Sequence, residues 1–486
     1  MYRIYLIFFA SVLYSSCKSN VTTGERPNII LFIADDMNWN DCGAYGNPTI
    51  NTPHIDNLAK EGMIFTNAFL TTSSCSPSRI SILTGKYPHN TDAEQLHWPL
   101  PEGHTTFVEL LKSNEYWTGL AGKYHMGDAV RSHFDLIMEV GTAGFQLGTD
   151  GKQQKEAGDG SGCESWIDLL NSVPGDQPFF LWLAAVDPHR PYDQGIIDNP
   201  HDPENVRVPP YLPDVDEVRT DLALYYDELS RMDQYIGKVL AELDKINIED
   251  NTFILFISDN GRPFPRDKTT LYEGGIKTPW IVRWPEKIKA GSINENLVSS
   301  VDIAPTVLSL AGINQPSVFE GVDFTSMVLD PNASIRDEIY AEDHWHDFED
   351  YTRAIRTKKF KYIRNFYPDL PNTPPADAFR SISFQAMLRM NNNQELNETQ
   401  SRCFEVPRSE EELYDIISDP NELINLAANI KYQNKLVQMR ELLNEYRTIT
   451  DDYIPKERTP DDFDRQTGFP TEHRIRPRPS KAEMMK

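Results

Sequence analysis

The sequence predicts an α/β protein with a parallel sheet flanked by helices, followed by a smaller second domain. Apolar runs of strand length lie at residues 28–34, 179–186 and 252–258, and uninterrupted runs of this kind are typical of parallel strands buried on both faces. Amphipathic helical segments alternate with these runs, which indicates strand–helix–strand units. Past about residue 335 the apolar patches become shorter, as expected for a separate α+β domain.

Two helices of the first domain are predicted from capping residues and apolar spacing. The first covers residues 51–62, with Asn51 or Thr52 as its cap and Gly62 as its stop. The second covers residues 221–246 and is long and amphipathic. The apolar faces are formed by Ile55, Leu58 and Ala59 in the first helix, and by Leu224, Leu229, Met232, Ile236, Val239, Leu240 and Leu243 in the second.

Residues 27–335 are assigned to the first domain, and residues 336–486 to the smaller domain and a tail. In the smaller domain, the patch at 360–363 predicts a strand and residues 432–447 predict a helix. The chain from Pro455 lacks periodicity, so we expect it to wrap the surface or to fray.

Composition limits the classes of partner. The 486 residues include 47 Lys and Arg against 73 Asp and Glu, a formal net charge of −26. This charge argues against nucleic acid or an anionic lipid surface as the main partner. A polyanionic substrate must therefore meet a local basic pocket. The five cysteines form no C-x-x-C pair, which excludes a zinc ribbon and a dense disulfide framework.

The amino terminus is typical of an exported protein. The apolar run at residues 4–13 has the length of a signal-peptide core and is too short to span a membrane. It ends just before Cys17, as in a bacterial lipoprotein, so residues 1–16 are predicted as the signal peptide and 17–26 as a polar tether. The protein would then be anchored by lipid on Cys17 in the cell envelope, in the periplasm or at the outer membrane. The alternative is an ordinary secretory signal with an incidental cysteine.

Polar side chains directly follow two of the predicted strands. Asp35 and Asp36 come after the first strand, and Asp259 and Asn260 come after residues 252–258. The carboxyl ends of parallel strands meet at one edge of a sheet, where ligands usually bind. These oxygen ligands suit Ca²⁺, and calcium is favoured over zinc because no imidazole or thiolate accompanies them.

A short motif centred on a cysteine carries the sharpest chemical signal. Residues 74–79 read Ser-Cys-Ser-Pro-Ser-Arg and are followed by Thr84-Gly85. The simpler interpretation is a buried structural cysteine before a turn-forming proline. The motif resembles the C-x-P-S-R signature of the sulfatase family, in which a maturation enzyme oxidises the cysteine to Cα-formylglycine. The resemblance implies an alkaline-phosphatase-like α/β fold with a large, mixed, mostly parallel sheet, and it makes Cys75 the nucleophile precursor and a further metal ligand.

Further segments match the family and supply a pocket for sulfate. Gly122-Lys123-Tyr124-His125-Met126-Gly127 resembles its G-K-x-H-x-G segment, and Pro188-His189-Arg190-Pro191 resembles its P-H-x-P segment. The resemblance implies that Arg79, Lys123 and Lys268 surround the sulfate. Lys277 is assigned to a structural ion pair instead.

The mechanism implied by the resemblance has two steps. One hydroxyl of the hydrated formylglycine attacks sulfur while a histidine, His125 or His189, protonates the leaving group. The second hydroxyl then loses its proton and sulfate is expelled. Calcium and the three cations stabilise charge on the sulfate oxygens.

The resemblance extends from residue 27 to about 450 and is nearest to the sulfamidase, or heparan N-sulfatase, branch. This branch has a pocket arginine at the position of Lys268, so N-sulfate specificity is not carried over. We predict exolytic desulfation of a marine polysaccharide such as ulvan, with N-sulfoglucosamine or other glycosaminoglycan substrates as the alternative. A second alternative is hydrolysis of phosphonate or phosphate monoesters. A third is a lipoprotein that binds glycans without catalysis.

Sugar recognition is predicted for the segment at residues 343–347. It reads Asp-His-Trp-His-Asp and offers His344 and His346 for sugar hydroxyls, with an aromatic face for stacking from Trp345. The alternative is a polar loop that packs on the catalytic domain.

Overall fold

A computed structural model describes residues 26–140, 146–147, 153–154, 160–175 and 177–475. The strands are β1 (Asn28–Ala34), β2 (Met63–Phe69), β3 (Trp117–Gly122), β4 (Leu136–Glu139), β5 (Gln146–Leu147), β6 (Gln153–Gln154), β7 (Phe179–Ala184), β8 (Thr252–Ser258), β9 (Ile281–Arg283), β10 (Ser292–Ser299), β11 (Glu338–Asp343), β12 (Thr352–Thr357), β13 (Phe360–Asn365) and β14 (Glu411–Asp415). The helices are α1 (Pro53–Glu61), α2 (Cys75–Thr84), α3 (Phe107–Ser113), α4 (Trp166–Asn171), α5 (Asp216–Lys245), α6 (Glu273–Ile276), α7 (Ile303–Leu310), α8 (Thr325–Leu329), α9 (Ala376–Phe379), α10 (Ile382–Asn392), α11 (Glu398–Ser401) and α12 (Gln433–Ile449).

The fold is organised around an eight-stranded sheet with the order β10-β2-β9-β8-β1-β7-β3-β4. Neighbouring strands are parallel except where β9 pairs with β2 and β8. The predicted fold class, a mixed and mostly parallel sheet with a smaller α+β part, is confirmed.

Strand β1 lies at the centre of this sheet, between β7 and β8. Its side chains alternate between two hydrophobic cores: Ile29, Leu31 and Ile33 point into one, and Ile30 and Phe32 into the other. Successive side chains of a strand point to opposite faces, so an unbroken apolar run requires a covered sheet on both sides. Helices provide this cover.

The two predicted helices of this domain are present. Helix α1 follows Thr52 and ends before Gly62, as predicted. Helix α5 begins at Asp216, five residues before the predicted start. Its first turn is acidic, with Asp216 and Glu217 near the positive end of the helix dipole. Apolar spacing does not detect such a turn.

A second, four-stranded antiparallel sheet has the order β11-β12-β13-β14. One face packs against α12 through Leu436, Met439 and Leu443. The other face packs against Phe69 and Ile276 of the large-sheet region. The predicted strand at 360–363 and helix at 432–447 correspond to β13 and α12. The domain boundary after residue 335 stays a prediction.

The tail is anchored over its described part. Phe463 is 3% exposed and lies 6.4 Å from Phe348, ring centre to ring centre. Thr459 donates its backbone N–H to Glu349. The chain from Pro455 to residue 475 therefore wraps the surface, one of the two behaviours predicted for it.

Cys42, Cys75, Cys163 and Cys403 are free and buried. The predicted signal peptide, Cys17 and nearly all of the tether lie outside the described residues. Among the residues that are described, no helix has the length and apolar character needed to cross a membrane.

Candidate active site

The two polar pairs predicted at strand ends lie side by side. Strands β1 and β8 are parallel neighbours, with Ala34 opposite Ser258, so Asp35-Asp36 and Asp259-Asn260 leave the same edge of the sheet. The Asp36 amide, in a left-handed backbone conformation with φ 76°, donates a hydrogen bond to Asp259 Oδ1 at 3.3 Å. The Asn260 amide donates to Asp36 Oδ1 at 2.6 Å. All four side chains are fully buried.

Cys75 is the first residue of α2, whose ten residues are all buried. Its Sγ lies 3.9 Å from Asp36 Oδ1. Ligand atoms of Asp35, Cys75 and Asp259 lie within 4.8 Å of one another. Burial raises the pKa of the Cys75 thiol far above its ordinary value, although Lys123 and Lys268 lower it in part. The unmodified side chain is therefore a neutral thiol beside the carboxylates.

Each of the three predicted cations forms an ion pair with one of these carboxylates. Arg79 donates from Nε to Asp259 Oδ2 at 2.8 Å and from Nη1 to the Lys123 carbonyl at 3.1 Å. Lys123 binds Asp35, and Lys268 Nζ lies 2.7 Å from Asp36 Oδ1. Burying these charges is tolerated because each has an opposite charge within hydrogen-bond distance.

The oxygen atoms at this edge fit a hard cation. Asp35 Oδ1 and Asn260 Oδ1 are buried and have no hydrogen-bond partner. Buried polar atoms of a folded protein are normally satisfied, so two bare oxygens among carboxylates point to a ligand that accepts their lone pairs. Asp35, Asp36, Asp259 and Asn260 together form the oxygen-rich donor set that calcium prefers.

His125 lies on the loop after β3 and pairs with a histidine that sequence reasoning missed. Its Nε2 is 2.7 Å from Nδ1 of His97. Desolvation, and then the charges of His97, Lys123 and Arg79, hold the pKa of His125 well below its ordinary value. The backbone of His125 has φ 52°, a left-handed conformation. His97 lies in a stretch without a recognisable motif, so the sequence offered no signal for it.

His189 contacts a second residue that the sequence did not reveal. Its Nδ1 lies 2.6 Å from the Arg190 carbonyl, and its Nε2 lies 3.7 Å from Oδ2 of Asp377 on α9. Burial raises the pKa of Asp377, but Lys268 and His189 outweigh this and hold the value below the ordinary one. Asp377 reaches the site from the region beyond β13, and no motif marks it.

A family comparison identifies the chain. The family model described as Sulfatase matches residues 27–313. The chain belongs to the sulfatase family. It is an enzyme that hydrolyses sulfate esters. A second model, N-sulphoglucosamine sulphohydrolase, C-terminal, matches residues 264–373, so the predicted resemblance to the sulfamidase branch is confirmed.

Two relatives illustrate the similarity of this sulfatase to known proteins. An ulvan-active sulfatase of Formosa agariphila is 33% identical over 478 residues, which cover 88% of this chain and 76% of the relative. N-sulphoglucosamine sulphohydrolase of Homo sapiens is 31% identical over 468 residues, which cover 88% and 91%. A solved structure in complex with its substrate, D-glucosamine-2-N,6-O-disulfate, superimposes with a TM-score of 0.67 at 23% identity, covering 89% of this chain and all of that one. The structural match supports the fold.

The prediction that Trp345 offers an aromatic face for sugar stacking is wrong. The Trp345 indole is 1% exposed and donates from Nε1 to the Pro460 carbonyl at 3.1 Å, so it has no free face. His344 and His346 are 4% and 6% exposed and line a cleft of about 10 Å³, which holds about one water molecule. Their contact with substrate stays a prediction.

Lys277 forms the structural contact predicted for it. Its Nζ lies 3.8 Å from Glu273 Oε2 and 3.9 Å from the centre of the Trp39 ring.

We expect Asp259→Asn to lower calcium affinity at least about tenfold and to remove most activity, because the site loses one anionic ligand. Isothermal titration and elemental analysis measure the first effect, and sulfate release measures the second. Asp302→Asn is the matched control, since Asp302 is an equally buried carboxylate that binds Arg336 elsewhere. Full activity of the native enzyme after exhaustive chelation, with no metal detected, would contradict the site.

Proposed function

We propose that this sulfatase uses a formylglycine at position 75 and a calcium ion to remove sulfate from a sulfated polysaccharide or its oligosaccharides. The observation that carries the proposal is the position of Cys75. The residue begins a buried helix beside three carboxylates and three cations, all within one connected network.

The charges of this network favour an anionic substrate once a dication is bound. Asp35, Asp36 and Asp259 are balanced by Arg79, Lys123 and Lys268, so these six side chains are neutral together. A calcium ion would add two positive charges, which outweigh the one further carboxylate, Asp377, beside His189. In a chain with a net charge of −26, this creates a local positive potential that attracts a sulfate group.

Asp35, Asp36, Asp259 and Asn260 would hold the calcium ion, with position 75 beside it. When present, the hydrated formylglycine supplies a hydroxyl nucleophile, and the ion supplies Lewis-acid stabilisation.

The chain's own cations would orient the sulfate. Arg79, Lys123 and Lys268 each keep N–H groups near the carboxylate cluster, and such charge-assisted donors stabilise negative charge that develops on sulfate oxygens.

We assign the leaving-group proton to His189. Its Nδ1 lies at hydrogen-bond distance from the Arg190 carbonyl, which fixes that nitrogen as a donor and directs Nε2 toward Asp377. Asp377 would orient the ring so that Nε2 can serve the leaving group. His125 is held among cations and bonded to His97, which favours its neutral form. His125 would instead hydrogen-bond the nucleophile or the substrate.

The relatives support a carbohydrate substrate. One is named an ulvan-active sulfatase and another N-sulphoglucosamine sulphohydrolase. We favour exolytic action on oligosaccharides of a marine polysaccharide such as ulvan, with O- or N-sulfated glycosaminoglycan as the alternative. Lys268 stands where sulfamidases have an arginine, so we do not favour N-sulfate.

The function is tested with a panel of defined ulvan and glycosaminoglycan oligosaccharides, together with 4-nitrophenyl sulfate and 4-nitrophenyl phosphate. We expect glycan desulfation, a higher kcat/KM on the aryl sulfate than on the aryl phosphate, and a mass shift at position 75. Cys75→Ala should lower kcat at least about 1,000-fold while largely keeping calcium affinity, because it removes the nucleophile and leaves the four oxygen ligands in place. Activity of this variant near the native level, or phosphate preference, would refute the proposal.

Asp377 gives a test of the assigned acid. A sugar alcohol leaves poorly without a proton, whereas nitrophenolate leaves well. We therefore expect Asp377→Asn to lower kcat on a sugar sulfate about tenfold more than on 4-nitrophenyl sulfate. Asp377→Glu should recover part of the kcat on the sugar sulfate. Asp302→Asn should not change the ratio of kcat on the two substrates. Equal losses on both substrates would exclude a role for Asp377 in leaving-group protonation.

The subcellular localisation of the enzyme is a further part of the proposal. We expect lipid-anchored localisation in the bacterial cell envelope, through Cys17 and with no other membrane attachment. Cys17→Ala should turn a membrane-associated protein into a soluble exported one, as measured by fractionation and by mass spectrometry of the amino terminus. Cys42→Ala is the matched control. Identical membrane partitioning of wild type and Cys17→Ala would refute the anchor.

A further inference from the structure

A second cavity, of about 560 Å³, lies beside the loop that carries Lys268. Its volume is within the range of small-molecule sites. None of the proposed catalytic or metal-binding residues lines it. The side chains that matter for the argument are three arginines and two tyrosines, Arg266, Arg402, Arg408, Tyr272 and Tyr414.

Arg266 is an unusual residue in this cavity. It is 5% exposed, and its backbone has φ 69°, a left-handed conformation that is costly for a side chain of this size. Its guanidinium lies over the Tyr272 ring, 4.0 Å from the centre. Among the described residues, its one hydrogen bond runs from Nη2 to the Glu422 carbonyl at 2.9 Å. Its Nε is buried and has no partner.

A buried guanidinium without a carboxylate partner is expensive. No ion pair of Arg266 exists within the part of the chain that the structure describes. Stacking on Tyr272 compensates part of the cost, but it uses only the face of the guanidinium. On its edge, Nη2 bonds the Glu422 carbonyl and Nε is shielded, so among the described residues Nη1 is the N–H group left for a ligand. The edge is the part that binds a carboxylate or sulfate through two parallel hydrogen bonds.

The other two arginines add donors around the same cavity. Arg408 is held by Asp350 through two hydrogen bonds of 2.7 and 2.9 Å, and its Nε is buried without a partner. Arg402 is half-buried, lies 3.6 Å from Glu398, and has a buried Nη1 without a partner. Three guanidinium groups thus line one cavity, although the unpartnered nitrogens of Arg402 and Arg408 are shielded from it in this conformation.

Of the carboxylates that line the cavity, Glu398 pairs with Arg402, and none forms an ion pair with Arg266 or Arg408 among the described residues. Glu412 accepts hydrogen bonds from the hydroxyls of Tyr272 and Tyr414 at 2.9 and 2.6 Å and from the Asn365 amide at 2.6 Å. Glu398 and Glu405 are exposed. The buried wall therefore combines Arg266, which lacks a carboxylate partner, with tyrosine and carboxylate groups that already bond one another.

We propose that this cavity binds an anionic group of an acidic glycan, a sulfate or a uronic carboxylate, other than the sulfate that is hydrolysed. Arg266 is the central ligand, with Arg402 and Arg408 beside it. Anion binding here is independent of catalysis, whereas its use by a glycan rests on the proposed function. The site would let the enzyme recognise a second charge along its polymer.

The first experiment locates the anion directly. Crystals of the wild-type enzyme are soaked in selenate, or in methyl glucuronide as the carboxylate arm. We expect anomalous density, or glucuronide density, against Arg266 in the cavity. Arg266→Gln should remove it, and Arg440→Gln, a control arginine that pairs with Glu411 outside the cavity, should keep it. A cavity without either ligand in the wild type, or density that persists in Arg266→Gln, overturns the proposal.

The second experiment measures the consequence in solution. Arg266→Gln should raise KM about tenfold on an oligosaccharide that carries a second anionic group, with kcat/KM on 4-nitrophenyl sulfate unchanged. Arg402→Gln, at a half-buried position that tolerates change, should raise KM in the same direction. If the enzyme fails on every glycan while selenate still binds at Arg266, the proposed substrate is wrong and the anion site stands. Unchanged KM in both variants on an active glycan substrate overturns the role in glycan binding.

Discussion

The buried ion network at the carboxyl edge of the sheet is the constraint on which the rest of the structure depends. Charges removed from water are tolerated only when each meets an opposite charge with good geometry. Here the carboxylates come from the ends of β1 and β8, while the cations come from α2, the loop after β3 and the loop after β8. Loss of one member leaves its partner uncompensated, so the contacts that position the reactive residues also stabilise the fold.

The region beyond β10 completes this arrangement from the other side. Lys361 on β13 binds both Glu273 and Glu422, at 2.8 and 2.9 Å, and with Arg356 it holds the pKa of Glu273 far below its ordinary value despite burial. Glu273 is therefore a structural acceptor. The glycines after it are required by packing, since a Cβ on Gly274 would lie 1.8 Å from Asp267 Oδ1. The turn that carries Lys268 is consequently fixed by both sheets together.

The sequence pattern was sufficient to predict those elements that are determined by a few neighbouring residues. The apolar run of β1, the ends of α1 and the polar pairs after β1 and β8 each follow from a few consecutive residues, so the sequence predicts them well, although the Thr52 side chain makes no capping hydrogen bond. His97 and Asp377 were missed because their roles come from tertiary contacts with distant histidines. Trp345 was misjudged for the same reason: the tail covers its ring, and composition cannot tell a covered aromatic residue from an exposed one.

An acidic enzyme for an acidic polymer needs cations that its own carboxylates do not neutralise completely. In the buried ion network every cation already has a carboxylate, so the proposed attraction for sulfate would depend on the proposed calcium ion. In the Arg266 cavity, one guanidinium lies on a tyrosine instead of a carboxylate, so attraction is present without a metal. Anion binding at the ion network would depend on calcium, whereas anion binding in the Arg266 cavity would not. Chelation would abolish the affinity of the first site for anions and leave that of the second intact.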